Sequence, residues 1–266
     1  MPVIKSSKRI LMVCKIILFY ILSILIFAAV AGFTKNLVYH DHISILITAF
    51  LTFILVFIFS KWDNLTLGDV GLKYNTLSLW RFFSGFGIGS TMVVLQAIIV
   101  SQFADVKFYL SGNISIISIM GHLILYFLIA CREELVFRSY ALRRLAHITK
   151  PLIALFAITI IFILEHVIAG MSWKMSVIGS GFGGILFGLA SLKTKGLALP
   201  IGLHFAWNFT QWLLGFKDST GIWREVLTKG NSSYAENIAL LGYVIIMCIS
   251  ICGLLVYYKN TDDSNK

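Results

Sequence analysis

Charged residues are scarce in this chain. Asp, Glu, Lys and Arg make up only 13% of its 266 residues, whereas hydrophobic residues make up 58%. A soluble globular domain is about 25% charged, so this composition excludes one and indicates an integral membrane protein. The net charge of +10 comes from Lys and Arg residues spread among short connections. Because they form no basic face and no aromatic platform, a nucleic-acid binder is excluded as well.

Cysteines are also few, and none has the setting of a disulfide or a nucleophile. Cys14, Cys131, Cys248 and Cys252 all lie in or beside apolar stretches, which excludes the disulfide framework of a secreted protein. Cys131 lies close to Glu133, but no second cysteine or histidine near it in sequence suggests a thiolate nucleophile. We interpret all four cysteines as buried and reduced.

Apolar stretches of about 20 residues, long enough to cross roughly 30 Å of hydrocarbon, recur along the chain. Basic residues recur in alternate connections, beginning with Lys8 and Arg9 and ending with Lys259. The positive-inside tendency therefore places both termini in the cytoplasm. We predict an all-α, polytopic membrane helix bundle of about eight transmembrane helices. Their centres lie near Phe19, Leu55, Val93, Phe127, Thr159, Gly184, Phe205 and Ile246.

The first apolar stretch has a second interpretation, a cleavable signal. A basic segment precedes it, and Ala29-Val30-Ala31 resembles a small-residue cleavage site. The length of the stretch and the spans that follow favour a retained helix, but the residues leave both open.

Glycine-rich segments lie in two of the spans. Residues 179–184 match the pattern G-x-G-x-x-G, but a dinucleotide site requires that pattern between a strand and a helix, which is not the setting here. Glycines four residues apart instead predict close helix packing. The pairs are Gly85 with Gly89, Gly179 with Gly183, and Gly184 with Gly188.

Glu133, Glu134 and Arg138 lie in an apolar stretch, where ionisable groups are costly unless they are partnered or functional. Adjacent helical residues diverge by about 100°, so Glu133 and Glu134 face different directions, whereas Glu134 and Arg138 share a face. We predict a buried Glu134–Arg138 ion pair that fixes the helix and leaves Glu133 as the candidate base. Alternatively, nearby arginines neutralise the glutamates at the headgroup boundary.

Three further polar residues, His166, His204 and Asn208, lie in later apolar stretches. A single histidine in a membrane helix is most often an interhelical hydrogen-bond partner. His204 and Asn208 are four residues apart, however, and share one helical face. Together with a carboxylate, two imidazoles and an amide can activate a water and bind the oxyanion that forms at a peptide carbonyl. No serine, cysteine or threonine nucleophile stands out beside them.

In these residues the chain resembles the CPBP family of intramembrane proteases, named for CAAX prenyl proteases and bacteriocin-processing enzymes and also called Abi. The resemblance lies in three ordered motifs, Glu-Glu-x-x-x-Arg at 133–138, Phe-x-x-x-His at 162–166 and His-x-x-x-Asn at 204–208. It covers roughly Gly121 to Leu214. We therefore divide the chain into N-terminal transmembrane helices at 1–120, a CPBP-like catalytic core at 121–214, and an extracytoplasmic loop, last helix and cytoplasmic tail at 215–266.

The resemblance implies a membrane endopeptidase in which Glu133 is the general base and His166 orients the water. His204 and Asn208 would be the oxyanion donors, with Glu134 and Arg138 in support. The implied substrate is a membrane-embedded or lipidated peptide or protein, such as a CAAX-type C-terminus, a bacteriocin or pheromone precursor, or an immunity-related peptide. The expected location is a bacterial cell membrane, with the active site toward the cytoplasmic side.

Metal dependence stays open at the level of sequence. The family is often labelled a metalloprotease group, and Glu133, His166 and His204 are plausible ligands for a divalent metal such as zinc, but the H-E-x-x-H signature is absent. Two other functions are considered. One is a non-catalytic membrane scaffold or regulator with the same fold. The other is a transporter, which ranks last because no internal repeat is evident.

Two polar residues have no role in this scheme. Glu165 directly precedes His166, and we expect it to pair with Arg132 or to lie in a wet cavity. His122 lies about three turns before Glu133, where we expect a packing or interfacial role.

Overall fold

The chain folds into a helical bundle with one two-stranded ribbon. A computed structural model describes residues 6–112, 115–217, 220–228 and 230–264. A π-helical turn lies at Ser176–Ser180, between two of the helices. In chain order the elements are α1 (Ser6–Thr34), α2 (His40–Trp62), α3 (Thr76–Phe103), β1 (Val106–Leu110), α4 (Ile116–Arg138), α5 (Tyr140–Ile148), α6 (Pro151–Ile168), α7 (Trp173–Met175), α8 (Gly181–Thr194), α9 (Ala198–Leu213), β2 (Trp223–Leu227) and α10 (Ser232–Ser264).

Within the described residues, seven helical stretches are long and apolar enough to cross a membrane, which confirms the predicted all-α membrane bundle. The stretch predicted around Phe205 is α9, a helix of only 16 residues. At 1.5 Å per residue it extends about 24 Å, less than the hydrocarbon thickness. Most of its residues are buried, because it packs against α3, α4 and α8. A helix that is surrounded by other helices does not need to be as long as the hydrocarbon core of the bilayer is thick.

Glycines bring the backbones of α3 and α9 into close contact. A Cβ atom at Gly85 would lie 2.5 Å from the carbonyl oxygen of Leu199, and one at Gly89 would lie 2.6 Å from that of Leu203. Both distances are shorter than any real Cβ contact, so only glycine fits at either position. The spacing of Gly85 and Gly89 therefore has the packing role that the sequence predicts.

The other two glycine pairs differ from each other. Gly184 and Gly188 of α8 lie against α6, where added Cβ atoms would collide with Thr159 and Leu155. At Gly179 an added Cβ atom would meet nothing within 4 Å, so close packing at this position was a wrong prediction. The reason is local: Gly179 lies in the π-helical turn, which has more residues per turn than an α-helix and so changes the direction in which its residues face.

The ribbon is an element that the sequence analysis did not predict. Strands β1 and β2 pair antiparallel, with Val106 opposite Leu227 and Leu110 opposite Trp223. The ribbon ties the end of α3 to the segment between α9 and α10. By chain order, it lies at the end of the bundle where α4 begins and α9 ends.

Asp63 holds the opposite end of the bundle together. This residue follows α2, and its carboxylate forms ion pairs with Lys15 of α1 at 2.5 Å and with Arg144 of α5 at 2.7 Å. The hydroxyl of Tyr140 in α5 also donates a hydrogen bond to it at 3.0 Å. Burial acts to raise the pKa of Asp63, but the hydrogen bond from Lys15, the charge of Arg144 and the bond from Tyr140 together hold it below its ordinary value of 3.8. One carboxylate thus joins three helices.

Candidate active site

Glu134 and Arg138 form the ion pair that their four-residue spacing predicts. The guanidinium Nη1 of Arg138 donates to Oε1 of Glu134 at 3.2 Å. Their side chains are 0% and 1% exposed, so neither group reaches solvent or the membrane surface. Snorkelling to the headgroup boundary, the alternative considered from the sequence, does not describe this pair.

Arg138 also links α4 to two neighbouring helices. Its guanidinium lies over the ring of Phe162 in α6, 4.3 Å from the ring centre, which is a cation–π contact. The hydroxyl of Ser191 in α8 donates to the backbone carbonyl of Arg138 at 3.3 Å. Phe162 opens the Phe-x-x-x-His pattern, and this contact gives that residue a physical role.

His204 lies between the two adjacent glutamates. Its Nδ1 is 3.0 Å from Oε1 of Glu134, and its Nε2 is 3.7 Å from Oε2 of Glu133. The imidazole is stacked on the ring of Phe187, with 4.7 Å between ring centres and an angle of 15°. Glu133 and Glu134 do diverge on α4, as adjacent helical residues must, but one imidazole reaches both of them because its nitrogens point in different directions.

Glu133 differs from Glu134 in its hydrogen bonding. Its side chain is 15% exposed, and no described side chain or backbone group forms a hydrogen bond with its buried Oε2. It interacts electrostatically with His204, His166, Arg132 and Arg138. A buried carboxylate oxygen needs a donor, which a water molecule in the site can supply.

The tautomer of His166 follows from its one hydrogen bond to the backbone. Its Nδ1 lies 2.9 Å from the carbonyl oxygen of Phe162, one turn earlier in α6. A carbonyl oxygen can only accept, so Nδ1 carries the hydrogen and, in the neutral ring, Nε2 carries a lone pair. The half-buried ring can therefore accept a hydrogen bond from a water molecule near Glu133.

Asn208 lies one turn beyond His204 on α9, and its amide has a partner that the sequence analysis missed. The Nζ of Lys217 donates to Oδ1 of Asn208 at 2.9 Å. Lys217 follows the end of α9 and was assigned to a connecting loop. No local pattern could have pointed to it, because the contact depends on the direction in which the chain turns after α9.

The comparison with known families identifies this part of the chain. Residues 113–210 match the family model described as type II CAAX prenyl endopeptidase Rce1-like. The chain therefore carries a segment that is similar to the Rce1-like family. The predicted resemblance is thereby confirmed. No match was found among curated proteins.

The Rce1-like segment contains all six predicted site residues. It begins just before α4 and ends within α9, so it includes the three helices that carry Glu133, His166 and His204. The match supports a CAAX-type intramembrane protease, which is a hydrolase. Together with the seven apolar helices, it makes the protein an integral membrane protein.

Glu133, His166 and His204 are the residues that the sequence offers as ligands of a divalent metal. Among the residues that the structure describes, no three His, Cys, Asp or Glu side chains are placed to hold a metal ion. His204 uses Nδ1 toward Glu134, and His166 uses Nδ1 toward a backbone carbonyl.

Glu165 pairs with Arg132, which was one of the two expectations for it. The guanidinium Nη1 of Arg132 donates to Oε1 of Glu165, and this ion pair joins α4 to α6. The same guanidinium lies over the ring of Phe27 in α1, 4.8 Å from its centre. The pair thus anchors α4 and α6, the helix that carries His166, to the N-terminal part of the bundle.

His122 has a packing role. Its ring is stacked on that of Trp212 in α9, with centres 4.1 Å apart and an angle of 11°. Its Nδ1 is 2.9 Å from the carbonyl oxygen of Ser118. Because it lies three turns from Glu133 on the same helix, it takes no part in the site.

Proposed function

We propose that this protein is an intramembrane endopeptidase that hydrolyses a peptide bond of a membrane-associated protein or peptide, with water activated by Glu133 and His166. The observation that carries the proposal is the placement of His204 between Glu133 and Glu134 within the Rce1-like segment. It brings an imidazole and a carboxylate whose Oε2 accepts no hydrogen bond from a described group to one point inside a buried site.

Glu133 would remove a proton from the attacking water. Its Oε2 lacks a partner among the described groups, so a water molecule can donate to it. Nε2 of His166 would accept the second hydrogen of that water and fix its orientation. The water oxygen then bonds to the substrate carbonyl carbon, and the carbonyl oxygen becomes an oxyanion. Glu133 passes its proton to the amide nitrogen as the carbon–nitrogen bond breaks, which leaves a carboxylic acid and an amine.

His204 and Asn208 would stabilise the oxyanion. In its imidazolium form His204 donates from Nδ1 to Glu134 and presents Nε2–H toward Glu133 and the reacting carbonyl. The charges of Glu133, Glu134, His204 and Arg138 then sum to zero, so this buried group carries no net charge. The Nδ2 amide group of Asn208 is the second donor. Donors that are already in place when the charge develops lower the barrier without reorganisation.

The family match favours a CAAX-type substrate, which is a lipidated C-terminal peptide. Bacteriocin or pheromone precursors and immunity-related peptides are the other substrates implied by the resemblance. We further propose a bacterial cell membrane as the location, with both termini and the site on the cytoplasmic side. In support, Glu133 lies about 8 Å along α4 from its end at Arg138, and α5, which follows, carries Arg143 and Arg144.

The experiment compares cells that express the native chain or Glu133→Gln at equal abundance. Mass spectrometry of membrane and secreted peptides identifies termini that only the native chain produces. Glu236→Gln is the matched control, because it makes the same change at an exposed position of α10, outside the site. Termini that depend on Glu133 but not on Glu236 support a protease. Identical peptides from native and Glu133→Gln cells, with both proteins inserted, would favour a non-catalytic scaffold.

A further inference from the structure

Lys217 lies beyond the end of α9, yet it contacts the amide of Asn208 within that helix. The turn that brings it back begins at Gly215, whose φ of +84° favours glycine. The amide N–H of Phe216 donates to the carbonyl of Gln211 at 2.9 Å, and that of Gly215 donates to the carbonyl of Trp212 at 3.0 Å. These bonds end the helix and reverse the chain, as in a Schellman motif.

The ammonium group of Lys217 is held from two sides. It donates to Oδ1 of Asn208 at 2.9 Å, and it lies over the ring of Tyr126 in α4, 4.8 Å from its centre. Tyr126 is 7% exposed, so the ring is a fixed support. Lys217 thus connects the end of α9 to the same helix that carries Glu133.

The contact determines how the Asn208 amide faces. Lysine can only donate, so the amide oxygen must point toward Lys217. The amide is planar, and its Nδ2 therefore points away from Lys217. A cationic donor on the oxygen also polarises the amide and strengthens Nδ2–H as a donor.

We infer that Lys217 is a positioning residue that orients and polarises the Asn208 amide as an oxyanion donor. The inference rests on the proposed function, because it assumes that an oxyanion forms at this site. The oxyanion exists only in the transition state and the tetrahedral intermediate. Loss of Lys217 should therefore lower kcat and leave KM nearly unchanged.

A second cationic residue nearby provides a control for the loss of positive charge without loss of the hydrogen bond to Asn208. Lys217 and Arg224 both line an open groove of about 560 Å³ between β2 and the turn after α9. Arg224→Met removes the same charge from the same groove, whereas the hydrogen bond to Asn208 comes from Lys217. The two variants therefore separate orientation of the amide from a general electrostatic effect.

The test uses the purified full-length chain and a synthetic peptide that contains a Glu133-dependent cleavage site. The variants are Lys217→Met, Lys217→Arg, Asn208→Ala, the double variant Lys217→Met with Asn208→Ala, and Arg224→Met. We expect Lys217→Met to lower kcat about 10-fold or more, less than the 10²- to 10³-fold loss on removing an oxyanion donor. Lys217→Arg should recover most of the activity, since arginine also donates.

The double variant decides between positioning and an independent effect. If Lys217 acts through Asn208, removing it from a chain that already has Asn208→Ala causes no further loss. Additive losses, an equal loss in Arg224→Met, or a full kcat in Lys217→Met would each overturn the inference, while Glu133 dependence would still support the protease. Without Glu133-dependent cleavage, the proposed function fails and this inference fails with it.

Discussion

His204 and Glu134, 70 residues apart in sequence, are joined by a hydrogen bond of 3.0 Å inside the bundle. This bond fixes α9 against α4 at the level of Glu133. Oε1 of Glu134 is also bonded to Arg138, so it holds both the imidazole and the guanidinium, whereas Glu133 forms no hydrogen bond with a described group. Two adjacent glutamates thus differ in their surroundings, which is the arrangement that separate chemical and supporting roles require.

Glu134→Gln should destabilise the protein as well as inactivate it. The change leaves the buried guanidinium of Arg138 without its counter-charge, and breaking a buried ion pair costs about 3–5 kcal/mol. We expect a lower unfolding temperature in detergent and less folded protein in membranes. Glu133→Gln is the comparison, because Oε2 of Glu133 has no hydrogen bond to lose. Equal unfolding temperatures for the two variants would contradict this assignment of roles.

His166→Asn should lose turnover without losing the fold. An asparagine amide can replace Nδ1–H as donor to the carbonyl of Phe162, but it has no group at the position of Nε2. His166→Gln extends its amide farther and should retain more activity. Peptide cleavage and unfolding temperature, measured on the same samples, check this. If His166→Asn cleaved as well as the native chain, Nε2 would have no part in orienting the water.

Gly85→Ala should destabilise the contact between α3 and α9, because its Cβ atom would lie 2.5 Å from a backbone oxygen that cannot move aside. Overpacking of this kind costs about 1–3 kcal/mol or more. Gly87→Ala is the matched control, since a Cβ atom there meets nothing within 4 Å. In detergent, the unfolding temperature of Gly85→Ala should therefore lie below that of the native chain, and that of Gly87→Ala should lie close to it. The same order is expected for the amount of folded protein.

Asp63→Asn should weaken the junction of α1, α2 and α5. The pKa of Asp63 is lowered in the folded protein, so its contribution to stability is fully present above the ordinary value of 3.8 and is lost as the pH falls through the lower folded-state pKa. The unfolding temperature of Asp63→Asn should lie below that of the native chain at pH 7, and the difference should shrink in acid. The exposed Asp41→Asn is the control. A difference that persisted unchanged in acid would exclude the ionised carboxylate as its cause.

Local geometry made part of the site predictable. Glu134 and Arg138 pair because four-residue spacing places them on one face of any α-helix. Hydropathy located the seven helices among the described residues that are long and apolar enough to cross a membrane, and it also selected α9, which is shorter than the hydrocarbon thickness. The glycine spacing identified the contact between α3 and α9 but failed at Gly179, because a π-helical turn interrupts the regular period there.

Other features could not be predicted from short stretches of the sequence. The sequence analysis predicted no contact among Asp63, Lys15 and Arg144, yet they form one buried junction. The ribbon escaped prediction because its strands are more than a hundred residues apart and each is only five residues long. Strands this short gain their stability from pairing, which neither segment signals alone.

By itself the sequence determined a membrane protein, the positions of its helices and the order of the three motifs, which lie within the Rce1-like match. These depend on composition, hydropathy and spacing within a single helix. Only the tertiary structure decided that His204 meets both glutamates, that Arg132 pairs with Glu165 and that Lys217 holds Asn208. Such contacts depend on how each helix is rotated and how deeply it packs, and many side chains and glycines from distant parts of the chain set those quantities together.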